Sequence, residues 1–357
     1  MHNRPYIEVA GEADRICRSD PDNNSITVLG AGSWGTALAL LLARNGLKVT
    51  LWGHQQTHMD QLHKDRSNER YLPQSAFPDN LTVTSDLAVA ASCNHTILIV
   101  VPSRSFRETL QAIAPLIGDI TRVAWATKGI ELSSGKLLHI VAREELGKGR
   151  DFAFISGPTF AREVANDQPT AATVASENES FAMELASMLH GPAFRAYTTT
   201  DMIGAQLGGA IKNVLAIAVG MAEGLGFGAN ARSALITRGL AEMMPLGLAL
   251  GARPETLMGL AGVGDLILTC TDNQSRNRRF GLGVGKGLPF DDVIRSIGQE
   301  IEGIDASAGI YRLAQQHGVE MPITEQVYKV LHEGLTPREA AHNLLMREQK
   351  PENKLRG

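Results

Sequence analysis

Through the first half of the chain, short apolar runs bounded by glycine and polar residues alternate with segments of helical composition. Ile26-Thr27-Val28-Leu29 predicts a strand, a glycine-bearing turn follows, and residues 37–43 have helical composition. Lys48-Val49-Thr50-Leu51-Trp52 predicts a second strand, with further strand-like runs at 96–101, 122–126, 152–155 and 170–175. Helical segments at 106–117 and 136–146 lie between several of these runs. Such alternation predicts βαβ units and a parallel sheet covered on both faces. After about Asp201 the strands stop, and 203–222, 231–249, 290–297, 306–317 and 324–331 read as helices broken by Gly or Pro.

The first predicted turn is Gly30-Ala31-Gly32-Ser33-Trp34-Gly35, a G-x-G-x-x-G directly after a strand and directly before a helix. Gly30 permits the tight turn, Gly32 lets backbone approach a pyrophosphate, and Gly35 allows helix to pack closely on strand. The context raises a weak pattern to a dinucleotide-binding signature. The expected fold class is therefore α/β, an N-terminal Rossmann-like doubly wound domain over 25–200 followed by an all-α C-terminal domain over 201–347. A polar extension (1–24) and a polar tail (348–357) flank them. The extension scatters Arg4, Glu8, Glu12, Asp14, Arg15, Arg18 and Asp20 and lacks an apolar signal core, so it is expected to be disordered rather than secretory.

The end of the second strand bears on cofactor choice. NAD-selective folds usually place an acid there for the ribose 2′-hydroxyl. Here the positions are Gly53 and His54, so NADP is expected to be accepted as well as NAD, with His54 a candidate contact to the adenine or a 2′-phosphate. His54, His58 and His63 also invite a metal reading, but no Cys or carboxylate cluster completes a site, and solvated histidines are the better account.

Composition changes the picture little. The 357 residues suggest about two domains, and a net charge of −4 gives no reason to expect nucleic acid or an anionic membrane as partner. Any anion binding must be local. Cys17, Cys93 and Cys270 form no Cys-x-x-Cys pair and no disulfide framework, which fits a reducing cytoplasm. No continuous apolar run reaches the length of a spanning helix, so stable membrane insertion is not expected.

Several residues could carry chemistry. Lys212 sits in an apolar helical segment with Gly208, Ala216 and Gly220 on its face, where small residues would let a ligand come close. Desolvation would lower its pKa toward a useful acid or base. A lysine snorkelling at the helix surface explains the pattern equally well. Lys128 follows a strand, at the end where open α/β sheets bind ligands, although a structural loop lysine is the default. Ser156-Gly157-Pro158-Thr159 also follows a strand and could hold a polar substrate or be simply a turn. Asp265 is either a helix N-cap or the partner of a catalytic lysine. Ser275-Arg276-Asn277-Arg278-Arg279 suits phosphate recognition through Arg276 and Asn277, against the plainer account of a solvated basic loop.

Taken together, these segments resemble the NAD(P)-dependent glycerol-3-phosphate dehydrogenases, particularly the bacterial type, over about residues 26–347. The markers, in the family's order, are the glycine loop with Ser33-Trp34, Ala126-Thr127-Lys128-Gly129, Ser156-Gly157-Pro158-Thr159-Phe160-Ala161, Lys212-Asn213-Val214, Gly262-Val263-Gly264-Asp265, Ser275-Arg276-Asn277 and Glu302-Gly303. The resemblance implies interconversion of sn-glycerol 3-phosphate and dihydroxyacetone phosphate by hydride transfer with NADP or NAD, with no metal, supplying glycerol 3-phosphate for phospholipid synthesis. It implies that Lys212 is the general acid/base and that Lys128 helps bind substrate and cofactor. Gly157, Thr159, Asp265, Ser275, Arg276 and Asn277 would line the substrate site. Ser33, Trp34, His54, Ala161, Arg276 and Glu302 would contact the dinucleotide. Thr159 stands where many members have serine, and Glu300 where an apolar residue is expected, so that last contact is not carried over. A homodimer formed through the helical half is compatible with the sequence. The competing readings are a different hydroxy-acid or sugar-acid dehydrogenase of the same two-domain build, and a non-catalytic dinucleotide sensor.

Overall fold

A computed structural model describes residues 24–92 and 94–349. All but the last residue of the expected N-terminal extension, with Cys17, Cys93 and most of the polar tail, lie outside the described residues. Among the described residues there are ten strands, β1 (Ser25–Leu29), β2 (Lys48–Trp52), β3 (Ser67–Asn68), β4 (Leu72–Ala76), β5 (Leu81–Thr84), β6 (Thr96–Ile99), β7 (Arg122–Trp125), β8 (Phe152–Ser156), β9 (Thr170–Ala175) and β10 (Phe194–Thr199). Eight form one sheet in the order β10-β9-β8-β7-β6-β1-β2-β5, while β3 and β4 make a separate hairpin.

The six strands from β5 to β8 are parallel, as βαβ patterning predicts, with register such as Val28↔Leu51 and Val28↔Leu98. β9 departs from that expectation. It pairs antiparallel with β8 (Ile155↔Val174), and β10 follows β9 in parallel, so the sheet is mixed. The short segment 157–169 between β8 and β9 turns back beside its own strand, and strand composition alone does not reveal that reversal.

The parallel strands are nearly continuous apolar runs because both faces are covered. Ile26, Val28, Leu98, Ala124, Ala153 and Ile155 pack on one side with the helix Ser33–Arg44. Leu29, Ile97, Ile99, Val123, Trp125 and Phe154 point to the other, against the helices Phe106–Ile113 and Leu138–Leu146. Alternate residues of each strand thus serve two cores.

The chain divides into two compact units. One comprises the chain up to Gly209 together with Leu250–Asp265, and the other Ala210–Ala249 with Leu266 onward. The helix Met202–Gly224 runs across that division. It is long and apolar enough to cross a membrane, but 89% of its most apolar stretch is buried in the protein, marking it as a core helix. The second unit is otherwise helical, including Ala229–Leu250, Arg276–Gly285, Glu302–Gln316 and Pro322–His332.

Candidate active site

In the first unit, the glycine loop shows why each glycine is there. Gly30 adopts φ +125°, and a Cβ on it would lie 2.3 Å from the Val100 carbonyl oxygen. Its N–H donates to the Trp52 carbonyl at 2.8 Å, tying the loop to β2. A Cβ on Gly35 would fall 1.8 Å from the Gly30 oxygen, so the helix can start only this close to the strand without one. Gly32 has nothing within 4 Å of its Cβ position. It caps the helix Ser33–Arg44 without a side-chain bond, and no acid stands in the first turn.

Open space therefore lies beside Gly32 at the helix N-terminus, an end whose N–H groups and dipole favour an anion such as a pyrophosphate. Trp34 Nε1 is buried and makes no hydrogen bond among the described residues. These features fit a dinucleotide. Ser33 and Trp34 form the first turn, and His54 is exposed just beyond β2. The helix after it begins only at Gln56, so His54 and His58 do not share a helical face. Among the described residues no group of His, Cys, Asp or Glu side chains is placed to hold a metal.

At the ends of β7 and β8 the structure brings four expected residues together. Lys128 Nζ lies 2.8 Å from Asp265 Oδ2 and donates to the Gly157 carbonyl at 3.3 Å. Thr159 Oγ1 donates to that same carbonyl at 3.2 Å. Gly157 has φ +139°, and a Cβ there would stand 3.0 Å from Ala172 Cα on the returning β9. Asp265 is the first residue of the helix Asp265–Thr271 and follows a π-helical turn, Leu260–Gly264. Such turns carry one residue more than α geometry and recur at functional sites. Ala161 opens the short helix Ala161–Ala165 and packs partly buried against the core.

In the second unit, Lys212 is 7% exposed, and its Nζ donates to Thr269 Oγ1 at 3.1 Å. It is thus a buried lysine, not a snorkelling one. Thr269 has no motif to announce it and was missed from sequence. The small residues along the Lys212 helix serve a different end from the one expected. A Cβ on Gly208 would be 2.4 Å from the Ala261 carbonyl oxygen, and one on Gly220 would be 2.1 Å from that of Arg278. Backbone of neighbouring segments fills the space there, not a ligand.

Ser275 is buried and caps the helix Arg276–Gly285, accepting from the Arg278 N–H at 3.2 Å. The basic cluster is accordingly the first turn of a helix rather than a solvated loop. Arg278 is buried and paired with Glu223 (2.6 Å), whereas the half-buried Arg276 donates to Gln299 Oε1 at 3.4 Å. Asn277 Nδ2 donates to Asn213 Oδ1 at 2.9 Å, and its Oδ1 accepts from the Gly303 N–H at 3.0 Å. Asn213 in turn donates to Glu302 Oε2 at 3.4 Å. One amide network therefore joins the lysine helix, the Arg276 helix and the helix beginning at Glu302. Glu300 is half-buried just before it.

Comparison with known proteins matches this chain to two family models. Residues 25–182 match the N-terminal domain of NAD-dependent glycerol-3-phosphate dehydrogenase, and residues 201–342 match its C-terminal domain. A glycerol-3-phosphate dehydrogenase (NAD(P)+) of Methylococcus capsulatus is 61% identical over 328 residues, covering 92% of this chain and 98% of its own. One from Escherichia coli is 55% identical over 331 residues, with the same coverage of 92% and 98%. The crystal structure of glycerol-3-phosphate dehydrogenase from Coxiella burnetii superposes with a TM-score of 0.89 at 50% identity, covering 92% of this chain and 100% of that one.

Proposed function

The chain belongs to the NAD-dependent glycerol-3-phosphate dehydrogenase family, and on that premise we propose that it interconverts sn-glycerol 3-phosphate and dihydroxyacetone phosphate with NAD(P). The observation that carries the reading is the buried ammonium of Lys212, bonded to Thr269 from a largely apolar helix. A buried lysine is costly to maintain without use and is well placed to trade a proton.

Bound nicotinamide supplies the hydride in reduction and accepts it in oxidation. In reduction Lys212 gives a proton to the substrate C2 oxygen, and in oxidation it takes that proton back. Lys128, oriented by Asp265 and the Gly157 carbonyl, presents a fixed positive charge to substrate and cofactor, with Gly157 and Thr159 beside it. Arg276 and Asn277 bind the substrate phosphate, where a helix N-terminus capped by Ser275 adds its dipole. Gly30, Gly32 and Gly35 with Ser33 and Trp34 hold the pyrophosphate end, and His54, Ala161, Arg276 and Glu302 complete the dinucleotide contacts. The domain roles follow: 25–200 for the dinucleotide and 201–347 for the substrate.

Supply of glycerol 3-phosphate to phospholipid synthesis in the cytoplasm is part of the same proposal. So is a homodimer through the helical half, which the exposed apolar side chains of Phe227, Leu248, Leu345 and Met346 support. The test is to follow reduced-cofactor absorbance with dihydroxyacetone phosphate, using NADH and NADPH separately. Oxidation is expected, and its absence with both would overturn the reading.

A further inference from the structure

The tight turn between β3 and β4 carries Arg70, and its position is set by the glycine loop. Asn68, 0% exposed, donates through Nδ2 to the Ala31 carbonyl at 3.0 Å and to Thr36 Oγ1 at 2.8 Å. Its Oδ1 faces His58 Nε2 and accepts from the Tyr71 N–H, each at 3.3 Å. Gly53, the first residue beyond β2, packs on the same loop, since a Cβ there would be 3.1 Å from Ala31 Cβ. The turn residues 69–71 are therefore pinned to the loop and to the end of β2.

Beside the exposed Glu69, this turn presents a guanidinium resting on an aromatic ring. The Arg70 guanidinium carbon lies 5.0 Å from the centroid of the Tyr71 ring, and that ring meets His58 edge-on at 5.4 Å. Burial, more than any other cause, lowers the pKa of His58; a bond to Asn68 opposes this, and the like charges of Arg70 and His54 add to the lowering. Of the neighbouring acids, Glu69 accepts from the Gln74 N–H at 3.4 Å and Asp60 from Gln56 Nε2 at 2.7 Å. The end of β2 is where folds of this kind meet the 2′ position of the adenosine ribose, with an acid for a hydroxyl and an arginine for a phosphate.

We propose that Arg70 is a specificity-determining residue that selects a dinucleotide bearing a 2′-phosphate, so that this chain favours NADPH over NADH. The inference rests on the dinucleotide reading of the glycine loop. An exposed guanidinium resting on Tyr71 is partly pre-organised, and its fork matches phosphate oxygens while offering little to a hydroxyl.

Two measurements test it. Calorimetric titration with adenosine 2′,5′-bisphosphate and with adenosine 5′-monophosphate should show at least about tenfold tighter binding of the bisphosphate to the wild-type chain. Arg70→Ala should abolish that preference, and Arg70→Lys should keep part of it. In steady-state assays Arg70→Ala should raise KM for NADPH about tenfold and leave NADH within about twofold. Equal losses with both cofactors, or no preference in the wild type, would overturn the proposal. A chain that oxidises neither cofactor with dihydroxyacetone phosphate, yet keeps an Arg70-dependent fragment preference, would overturn the substrate reading and uphold this one.

Discussion

Asp265 Oδ2 lies 2.8 Å from Lys128 Nζ, with the two side chains 1% and 12% exposed, so a carboxylate at a helix start fixes an ammonium at a strand end. Removing one partner of such a pair leaves the other charge buried and uncompensated, at about 3–5 kcal/mol. Asp265→Ala should therefore lower the urea-unfolding free energy by that order and also reduce turnover. The double variant Lys128→Met/Asp265→Leu should recover most of the stability while remaining inactive. A double variant no more stable than Asp265→Ala would show that the pair is not the source of the loss.

Lys212→Ala should reduce turnover about 10²–10⁴-fold, the usual range for a lost general acid or base. Binding of reduced cofactor, read by fluorescence titration, should change less than about twofold, because the loop residues proposed to contact it are untouched. Near-normal turnover would refute the assignment.

Arg276 and Asn277 are adjacent but should fail differently. Arg276 is half-buried with one long side-chain bond, so Arg276→Ala should raise KM for dihydroxyacetone phosphate about a hundredfold with thermal stability nearly unchanged. Asn277 joins three helices, and Asn277→Ala leaves Asn213 and the Gly303 N–H without it, costing about 1–3 kcal/mol. Thermal melts beside kinetics would separate the two. Equal melting shifts would contradict the distinction.

How much of this was legible in the chain depends on the range of the interaction. The glycine loop, β1 and β2 are local, and Ser25 to Trp52 reads directly as strand, turn, helix, strand. The helix Arg276–Gly285 was not, because Arg-Asn-Arg-Arg-Phe-Gly-Leu-Gly-Val-Gly has no clear apolar stripe and its three glycines oppose the helix that its arginines and leucine favour. Its packing requires the glycines, as a Cβ on Gly281 would sit 2.2 Å from the Ile217 carbonyl oxygen. Lys128 with Asp265, Lys212 with Thr269 and Asn68 with Ala31 are tertiary pairings. The residue types hinted at chemistry, but only the fold says which partner each one finds.

Glu242 gives a pH signature independent of catalysis. Burial pushes its carboxyl up to about 7, against the opposing bonds from the Ile323 and Thr324 N–H groups and the Thr324 hydroxyl. The folded state then holds this proton where the unfolded state has released it. Stability should fall as pH rises from about 4.5 to about 7 by about 3 kcal/mol, and be flat in this respect on either side. Glu242→Gln should remove that slope from urea midpoints measured between pH 5 and 8. An unchanged slope would assign it to other groups.

The π-helical turn Leu260–Gly264 bears on which insertions and deletions this chain can tolerate. Regularising the turn to α geometry would need one residue fewer, and each residue advances a helix by about 100°. Asp265, the very next residue, would then swing off the bearing that meets Lys128. The extra residue acts as an angular shim. A segment that looks like a glycine-rich spacer therefore has a fixed length, and its reading frame, more than its side chains, aims the carboxylate.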